Sequence, residues 1–391
     1  MQIFCNGGER AAPTRDLHSK TMLAKRIRRI LLEKGAEKYE MARLILGRLP
    51  GLPVEVIEDR RRLAAQEHQR ARWLSAAKTT LLLAVQKGPF RRLCPGTKDY
   101  ICCGYQVLQV AVGCPMDCTY CVLQGYVNLP AITIFVNVED LLAELERDLE
   151  AAGAANPDLG WRLGTGEFGD SLALDALMGL NHRLVPWFKG RRRAVLEIKS
   201  KRPEIDGLLS LGPNPEVIFA WSLNPEEVIA AEEKLAAPLA ARLKAARAAG
   251  AAGFRVAFHF DPLICFPGWE EAYRRTVDAL GEAVPSSSLA WISLGALRFL
   301  PGLRPLIHQR FPQSRVAAQE MVRAPDGKLR YYKSIRVEMY GRLRQYLSET
   351  FPGMQPYLCM ESPRLWQEVF GFTPTGADLA HWLDQRVGFP D

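Results

Sequence analysis

Apolar and polar positions along this chain follow two rhythms, and the change between them divides it. Over residues 20–48 the apolar Leu23, Ile27, Ile30 and Leu31 interleave with Lys25, Arg26, Arg28 and Arg29, a spacing that predicts helix. Pro50-Gly51 punctuates, residues 54–57 read as a short strand, and a polar, Arg-rich helix is expected over 60–75. From residue 76 strand-like runs alternate with helix-like ones. Strands are predicted at 80–85, 106–112, 132–136, 161–164, 194–198, 217–222, 254–260 and 289–294. Helices are predicted between them at 138–152, 172–188, 225–249 and 269–283, the third so rich in Ala and Leu that propensity alone supports it. About six βα repeats after Gln106 predict a parallel sheet, open or partly closed into a barrel. In such barrels chemistry sits at the C-terminal ends of the strands. After residue 300 the rhythm breaks. Asp326-Gly327, between Val322 and Leu329-Arg330-Tyr331-Tyr332, predicts a hairpin, with helices following over 335–347 and 362–370.

Composition changes this picture little. Of 391 residues 48% are apolar and 24% charged, the balance of an ordinary globular protein. No apolar run approaches the roughly 18 residues of a membrane-spanning helix. The opening MQIFCNGGERAAPTRD lacks the apolar core of a secretory signal, so a cytoplasmic protein with no membrane partner is expected. Charge adds more. The net charge is +8, and residues 1–75 carry sixteen Lys/Arg against nine Asp/Glu. Such a surplus fits a polyanionic partner such as nucleic acid, and equally a solvated helix face.

The nine cysteines carry the chemistry. Cytosolic reductants disfavour a disulfide framework, which leaves metal binding or catalysis for any cluster of thiols. Gly113-Cys114-Pro-Met-Asp-Cys118-Thr-Tyr120-Cys121 spaces three of them as C-x3-C-x2-C, just where the strand predicted over 106–112 ends. Three thiolates on one short loop can ligate three irons of a [4Fe–4S] cube and leave the fourth iron without a protein ligand. That open iron can chelate the amino and carboxylate groups of S-adenosylmethionine (SAM) and pass one electron into its sulfonium. Structural zinc is the poorer reading, because no fourth Cys or His follows at finger-like spacing.

The triplet, the aromatic Tyr120 before its last cysteine, and the βα repeats together resemble the radical-SAM superfamily. Within it the chain is similar to the spore photoproduct lyase family. The resembling segments are Ala77-Lys78-Thr79-Thr80-Leu81, Tyr120-Cys121-Val122-Leu123-Gln124, Phe135-Val136-Asn137-Val138-Glu139 and Gly268-Trp269-Glu270-Glu271-Ala272-Tyr273, and the likeness covers roughly residues 50–345. It implies a partial barrel holding cluster and SAM, whose 5′-deoxyadenosyl radical abstracts hydrogen from a thymine dimer in DNA. It implies metal ligation by Cys114, Cys118 and Cys121, and a place for Tyr120 against the adenine. It also implies cofactor contacts at Asp170, Lys199, Ser222 and Ala257, each at or just past the end of a predicted strand. Gly166 and Glu167, in Gly164-Thr165-Gly166-Glu167, match the stretch that holds the methionine amino group in such proteins.

Two departures stand out. The family's hydrogen-donating cysteine falls at Glu167 in this chain, and the tyrosine that follows its third cluster cysteine is Val122. A carboxylate cannot supply a hydrogen atom as a thiol does, so either another residue takes that role or the reaction differs. Cys359, just before a predicted helix, is the candidate donor, set against the plainer reading of a structural thiol. Cys94, Cys102 and Cys103 flank a loop, but neither their spacing nor a fourth ligand supports a metal site; Cys5 and Cys265 suggest no role.

The predicted hairpin carries Lys328, Arg330 and Tyr331, and the resemblance implies that it enters DNA. Cations would meet phosphates there, and an aromatic would replace lost base stacking. The resulting expectation is an α/β protein. A partial (β/α)6 TIM-like barrel over 76–300 is preceded by a basic α/β extension over 1–75 and followed by a hairpin and helices over 301–391. Its function would be radical-SAM chemistry on nucleic acid, supplied with electrons by a one-electron reductant such as flavodoxin or ferredoxin. The alternatives are a radical-SAM enzyme acting on a small molecule or peptide, and a non-catalytic iron–sulfur protein that binds nucleic acid.

Overall fold

The computed structural model describes residues 23–63, 70–97, 99–155 and 160–389. Its centre is a curled eight-stranded sheet. The order across it is Tyr357–Leu358, Leu289–Ala296, Arg255–Leu263, Val217–Ser222, Ala194–Ser200, Trp161–Gly164, Gln106–Leu108 and Arg91–Leu93. All neighbours run parallel except the last pair. Val217–Ser222 and Leu289–Ala296 are buried along their whole length, as parallel strands covered on both faces must be. Ile101 N donates to Glu361 O at 3.0 Å, an isolated antiparallel bridge that ties the segment leading into one side of the sheet to the segment leaving the other. The sheet is thereby a partial barrel, as expected.

A second sheet departs from the expectation. Val54–Ile57, Arg29–Glu33, Thr80–Ala84, Ile132–Phe135 and Ala111–Val112 lie side by side in that order. The runs at 80–85 and 132–136, read as barrel strands, therefore pair with the N-terminal extension, and the boundary at residue 75 cuts through one sheet. The stretch read as a helix over 20–48 holds the strand Arg29–Glu33 and a helix only over Glu40–Arg48. Ile30 and Leu31 satisfy helical and strand periodicity alike, and pairing with Thr80–Ala84 decided between them. Residues 1–22, 64–69, 98, 156–159 and 390–391, with parts of the extension, lie outside the described residues.

The Ala/Leu-rich helix predicted over 225–249 is two. Glu226–Glu232 stops at a two-residue strand, Glu233–Lys234, and Leu239–Ala251 begins after Pro238. Proline disfavours helix in the residue before it and opens helices well, which places the break. Similarly the 172–188 helix is interrupted at Gly179, whose φ of 64° lies in the left-handed region. The C-terminal expectations hold with small shifts. Val322–Arg323 and Leu329–Arg330 form the hairpin, widened by Arg298–Phe299, and Lys333–Thr350 and Pro363–Phe370 are the helices. A further helix, Gly376–Arg386, starts at a Thr375–Asp378 capping box that the pattern reading had passed over.

Candidate active site at the cysteine loop

The three cysteines lie on a loop clamped from several directions. Gly113, with φ 96°, turns the chain out of Ala111–Val112, and its N–H donates to Phe168 O at 2.8 Å. Lys78 Nζ donates to Cys114 O at 2.8 Å and to Met116 O at 2.6 Å. Arg310, on the helix Leu303–Arg310, reaches Asp117 at 3.0 and 3.1 Å and also bonds Gln124. Gln124 Nε2 donates to Thr119 O at 2.8 Å. Cys118 pairs across to Glu233. Every segment of the loop has a partner elsewhere in the fold, so its shape is set in advance.

Cys114 and Cys118 are buried and Cys121 is half-buried. Burial pushes the Cys114 thiol well up and the Cys118 thiol to about 12. Such thiols stay protonated unless a metal's positive charge displaces the proton, which is how a cluster would bind them. Among the described residues no group of three or more His, Cys, Asp or Glu is placed to hold a single metal ion. A cube needs no such convergence, since each of three irons takes one thiolate. The donor set therefore fits a [4Fe–4S] cluster, and a cleft lined by Lys78, Gly113, Cys114, Cys121 and Ile132 opens beside it.

Beneath the loop lies a polar knot centred on Glu233, which the sequence reading missed because it saw one unbroken helix there. Lys201 Nζ donates to Glu233 Oε1 at 2.6 Å, Asn224 Nδ2 to the same oxygen at 2.9 Å, and Arg242 Nη2 to Oε2 at 2.5 Å. The Tyr120 hydroxyl donates to Glu233 as well and accepts from Lys201 Nζ at 2.9 Å. Burial alone would raise the Glu233 carboxyl, but Lys201 and Arg242 hold it well below the usual range. Burial, reinforced by Glu233, keeps Tyr120 a phenol. Tyr120 is thus a fixed wall beside the cysteines.

Around the barrel mouth the expected cofactor residues fall into two kinds. Asp170 is a brace. Its carboxylate accepts from Leu172 N, Ala173 N, Ser200 Oγ and Lys201 N at 2.7–3.0 Å, which shapes the turn. Lys199 and Glu167 form a half-open ion pair at 2.9 Å. Lys199 holds the Glu167 carboxyl down, and although burial disfavours the ammonium, Glu167 and Glu197 keep it charged. A Cβ on Gly166 would stand 2.9 Å from Lys199 O, so only glycine fits between that strand and the loop. Ser222 ends its strand opposite His259, and Ala257 lies paired between Ala220 and Trp291. Ala220 and Ala257 are both fully buried.

Two further groups had only a faint signal, polar residues at alternate positions of otherwise apolar strands: Glu197 and Lys199, His259 and Asp261. Tyr105 OH donates to Glu197 Oε2 at 2.6 Å, Trp291 Nε1 lies 3.1 Å from Oε1, and His259 Nε2 lies 2.8 Å from the same oxygen. His259 Nδ1 is 2.7 Å from Ser293 Oγ. Burial would raise the Glu197 carboxyl, but the His259 imidazole, Lys199 and the Tyr105 hydrogen bond bring it to about 2. Higher up, Arg298 binds Asp261 through two contacts of 3.0 and 3.2 Å, and its Nη2 lies 3.8 Å from Cys359 Sγ.

The residues expected to touch nucleic acid are placed otherwise. Arg330 is 1% exposed, bound to Asp326 at 2.7 Å and stacked over Tyr100 at 4.6 Å. Tyr331 is 2% exposed, its hydroxyl bonded to Gln319 and to Cys265 N. Lys328 Nζ donates to Thr97 Oγ1 at 2.8 Å. Lys328 and Arg330 dock the hairpin onto Thr97 and Tyr100, because Asp326 in the turn draws the cations inward, while Tyr331 anchors it to Gln319 and Cys265. The exposed side chains include Val322, Arg323, Pro325, Tyr332 and Lys333.

Comparison with known proteins agrees with this geometry. The family model described as spore photoproduct lyase matches residues 28–357. The spore photoproduct lyase of Bacillus subtilis (strain 168) is 25% identical over 337 residues, covering 83% of this chain and 95% of that protein. That of Geobacillus sp. (strain Y412MC61) is 25% identical over 257 residues, covering 63% of this chain and 74% of that protein. Among solved structures, spore photoproduct lyase complexed with dinucleoside spore photoproduct superposes with a TM-score of 0.72 at 22% identity, covering 85% of this chain and 98% of that one. A variant with bound AdoMet and dinucleoside spore photoproduct gives 0.71 at the same identity and coverage. These likenesses establish a shared fold.

Proposed function

Because this chain belongs to the spore photoproduct lyase family of radical-SAM lyases, we propose that it reverses a thymine photoproduct in DNA. Its cofactors are a [4Fe–4S] cluster and SAM. When bound, they supply a 5′-deoxyadenosyl radical able to take hydrogen from a carbon. The chain's own residues then have distinct tasks. Cys114, Cys118 and Cys121 would hold the cluster and leave it one open position for SAM. Tyr120, locked by Glu233 and Lys201, walls the cofactor in. Gly166 allows close backbone approach, Lys199 and Glu167 offer opposite charges to the methionine end, and Ser222 and Ala257 line the interior. The remaining catalytic task is to place a C–H bond and exclude water.

The observation that carries this reading is the pre-shaped three-thiol loop at the C-terminal mouth of the partial barrel. The exposed Tyr332 and Arg323 are the hairpin residues suited to meet DNA, by stacking and phosphate contact. Electrons would come from a small redox protein such as flavodoxin or ferredoxin. The test is anaerobic reconstitution followed by dithionite, SAM and a dinucleoside photoproduct deuterated at the carbon to be attacked. Deuterium should appear in 5′-deoxyadenosine as the two thymidines are restored. Formation of 5′-deoxyadenosine without label, and without thymidine, would remove DNA photoproducts from consideration and leave a radical-SAM enzyme of another substrate.

A further inference from the structure

The barrel mouth carries a thiol well placed for chemistry. Cys359 follows the last barrel strand, Tyr357–Leu358, and its N–H donates to Leu294 O at 2.8 Å. The register runs Ser222 to His259 to Ser293 to Tyr357, one row of side chains facing the interior. Side chains alternate along a strand, so Cys359 falls on that same inner face, two positions nearer the mouth. Beside it, Asp261 and Arg298 form their two-point ion pair, with Arg298 Nη2 at 3.8 Å from the sulfur. Any side chain at Gly295 would put a Cβ 2.5 Å from Asp261 Oδ2, so glycine there is what lets the pair sit at this height. Met360, with φ 53°, takes the left-handed turn that lets Glu361 bridge to Ile101.

These surroundings favour a thiol that keeps its hydrogen. Burial, then Asp261, pushes the Cys359 thiol well up, and Arg298, which alone would favour the thiolate, has its charge matched by Asp261. Glu167 is close enough to add to that upward push. A neutral thiol is a poor nucleophile and a poor metal ligand. Its S–H bond, however, is weaker than the C–H bonds of a nucleoside, so it can give up a hydrogen atom to a carbon radical.

We propose that Cys359 is the hydrogen-atom donor that quenches the substrate-derived carbon radical, and that Arg298 and Asp261 are its positioning residues. The inference rests on the radical reading above. In the step a C–H bond forms on the product as the S–H bond of Cys359 breaks, proton and electron moving together. The sulfur is left one hydrogen short. It recovers that hydrogen as one electron from the same one-electron reductant that feeds the cluster and one proton from solvent, and 5′-deoxyadenosine leaves as the by-product of the first abstraction.

Two measurements test this. In the cluster-loaded protein without reductant, iodoacetamide labelling in alkaline buffer, where a fraction of even a raised thiol ionises, is followed by peptide mass mapping. The dinucleoside photoproduct should slow alkylation of Cys359 and leave Cys265 unaffected. Under turnover in D2O, the wild type should place solvent deuterium in the repaired thymidine. Cys359→Ala should lose that labelled product while 5′-deoxyadenosine still forms, a split that a merely structural role would not give. Cys359→Ser, nearly the same size but with a much stronger O–H bond, gives the same readout should the alanine variant not fold. Labelled product from either variant overturns the assignment; its loss from Cys103→Ala instead would move the role to that neighbouring thiol. Absence of 5′-deoxyadenosine from the wild type would defeat the radical reading itself, a distinct outcome.

Discussion

The Glu233 knot and the barrel mouth are both buried and both charged, yet they are built on opposite plans. At the knot one carboxylate takes Lys201, Asn224, Arg242 and Tyr120 together, and its side chain is wholly inaccessible. At the mouth the charges stand in twos, Glu167 with Lys199 and Asp261 with Arg298, all partly open. A saturated centre has nothing left to offer a ligand and serves to hold the cysteine loop still. A pair can exchange one partner for a ligand. On the proposed function, the difference separates residues that make the site rigid from residues left free to meet a ligand.

The largest effect should come where the two regions meet. Cys118→Ala removes one iron ligand, so cluster iron should fall and 5′-deoxyadenosine formation should vanish, read by iron analysis and chromatography. Next, Glu233→Ala leaves Lys201 and Arg242 buried without their shared anion, which should cost about 3–5 kcal/mol. Denaturant unfolding would show it, and a change within experimental scatter would mean the knot is not structural. Lys199→Ala should do the reverse, weakening SAM binding by about 1.5–3 kcal/mol with little loss of folding stability. Equal losses in both would erase the distinction between the regions. The smallest effect is expected from pH. The folded-state Glu197 carboxyl, at about 2, lies below its ordinary value near 4.5, so its stabilising contribution is complete above the ordinary value. That contribution should fade as pH drops toward 2, and Glu197→Gln should flatten stability across that window.

Much of the working chemistry was legible in the chain because it is local. The C-x3-C-x2-C spacing needs eight neighbouring residues to shape three ligands, and Asp326-Gly327 needs only its flanks to make a turn. The hairpin's surface was misread because a turn rule says nothing of what a cation meets. Arg330 found Asp326 and Tyr100, and so turned inward. Glu233 was hidden for a similar reason. Helix propensity over 225–249 is real, but pairing with Asp117–Cys118 and the proline at 238 outweighed it.

By itself the sequence determined the cluster loop, the alternation of strands and helices, and the family to which they point, since each rests on residues close together along the chain. Only the tertiary structure decided which strands share a sheet, which carboxylates are saturated, and that Cys359 stands beside Arg298 at the mouth. Those facts depend on contacts between residues 61 positions apart for Arg298 and Cys359, and 113 for Tyr120 and Glu233. Periodicity and spacing carry no information over such separations; packing and pairing supply it.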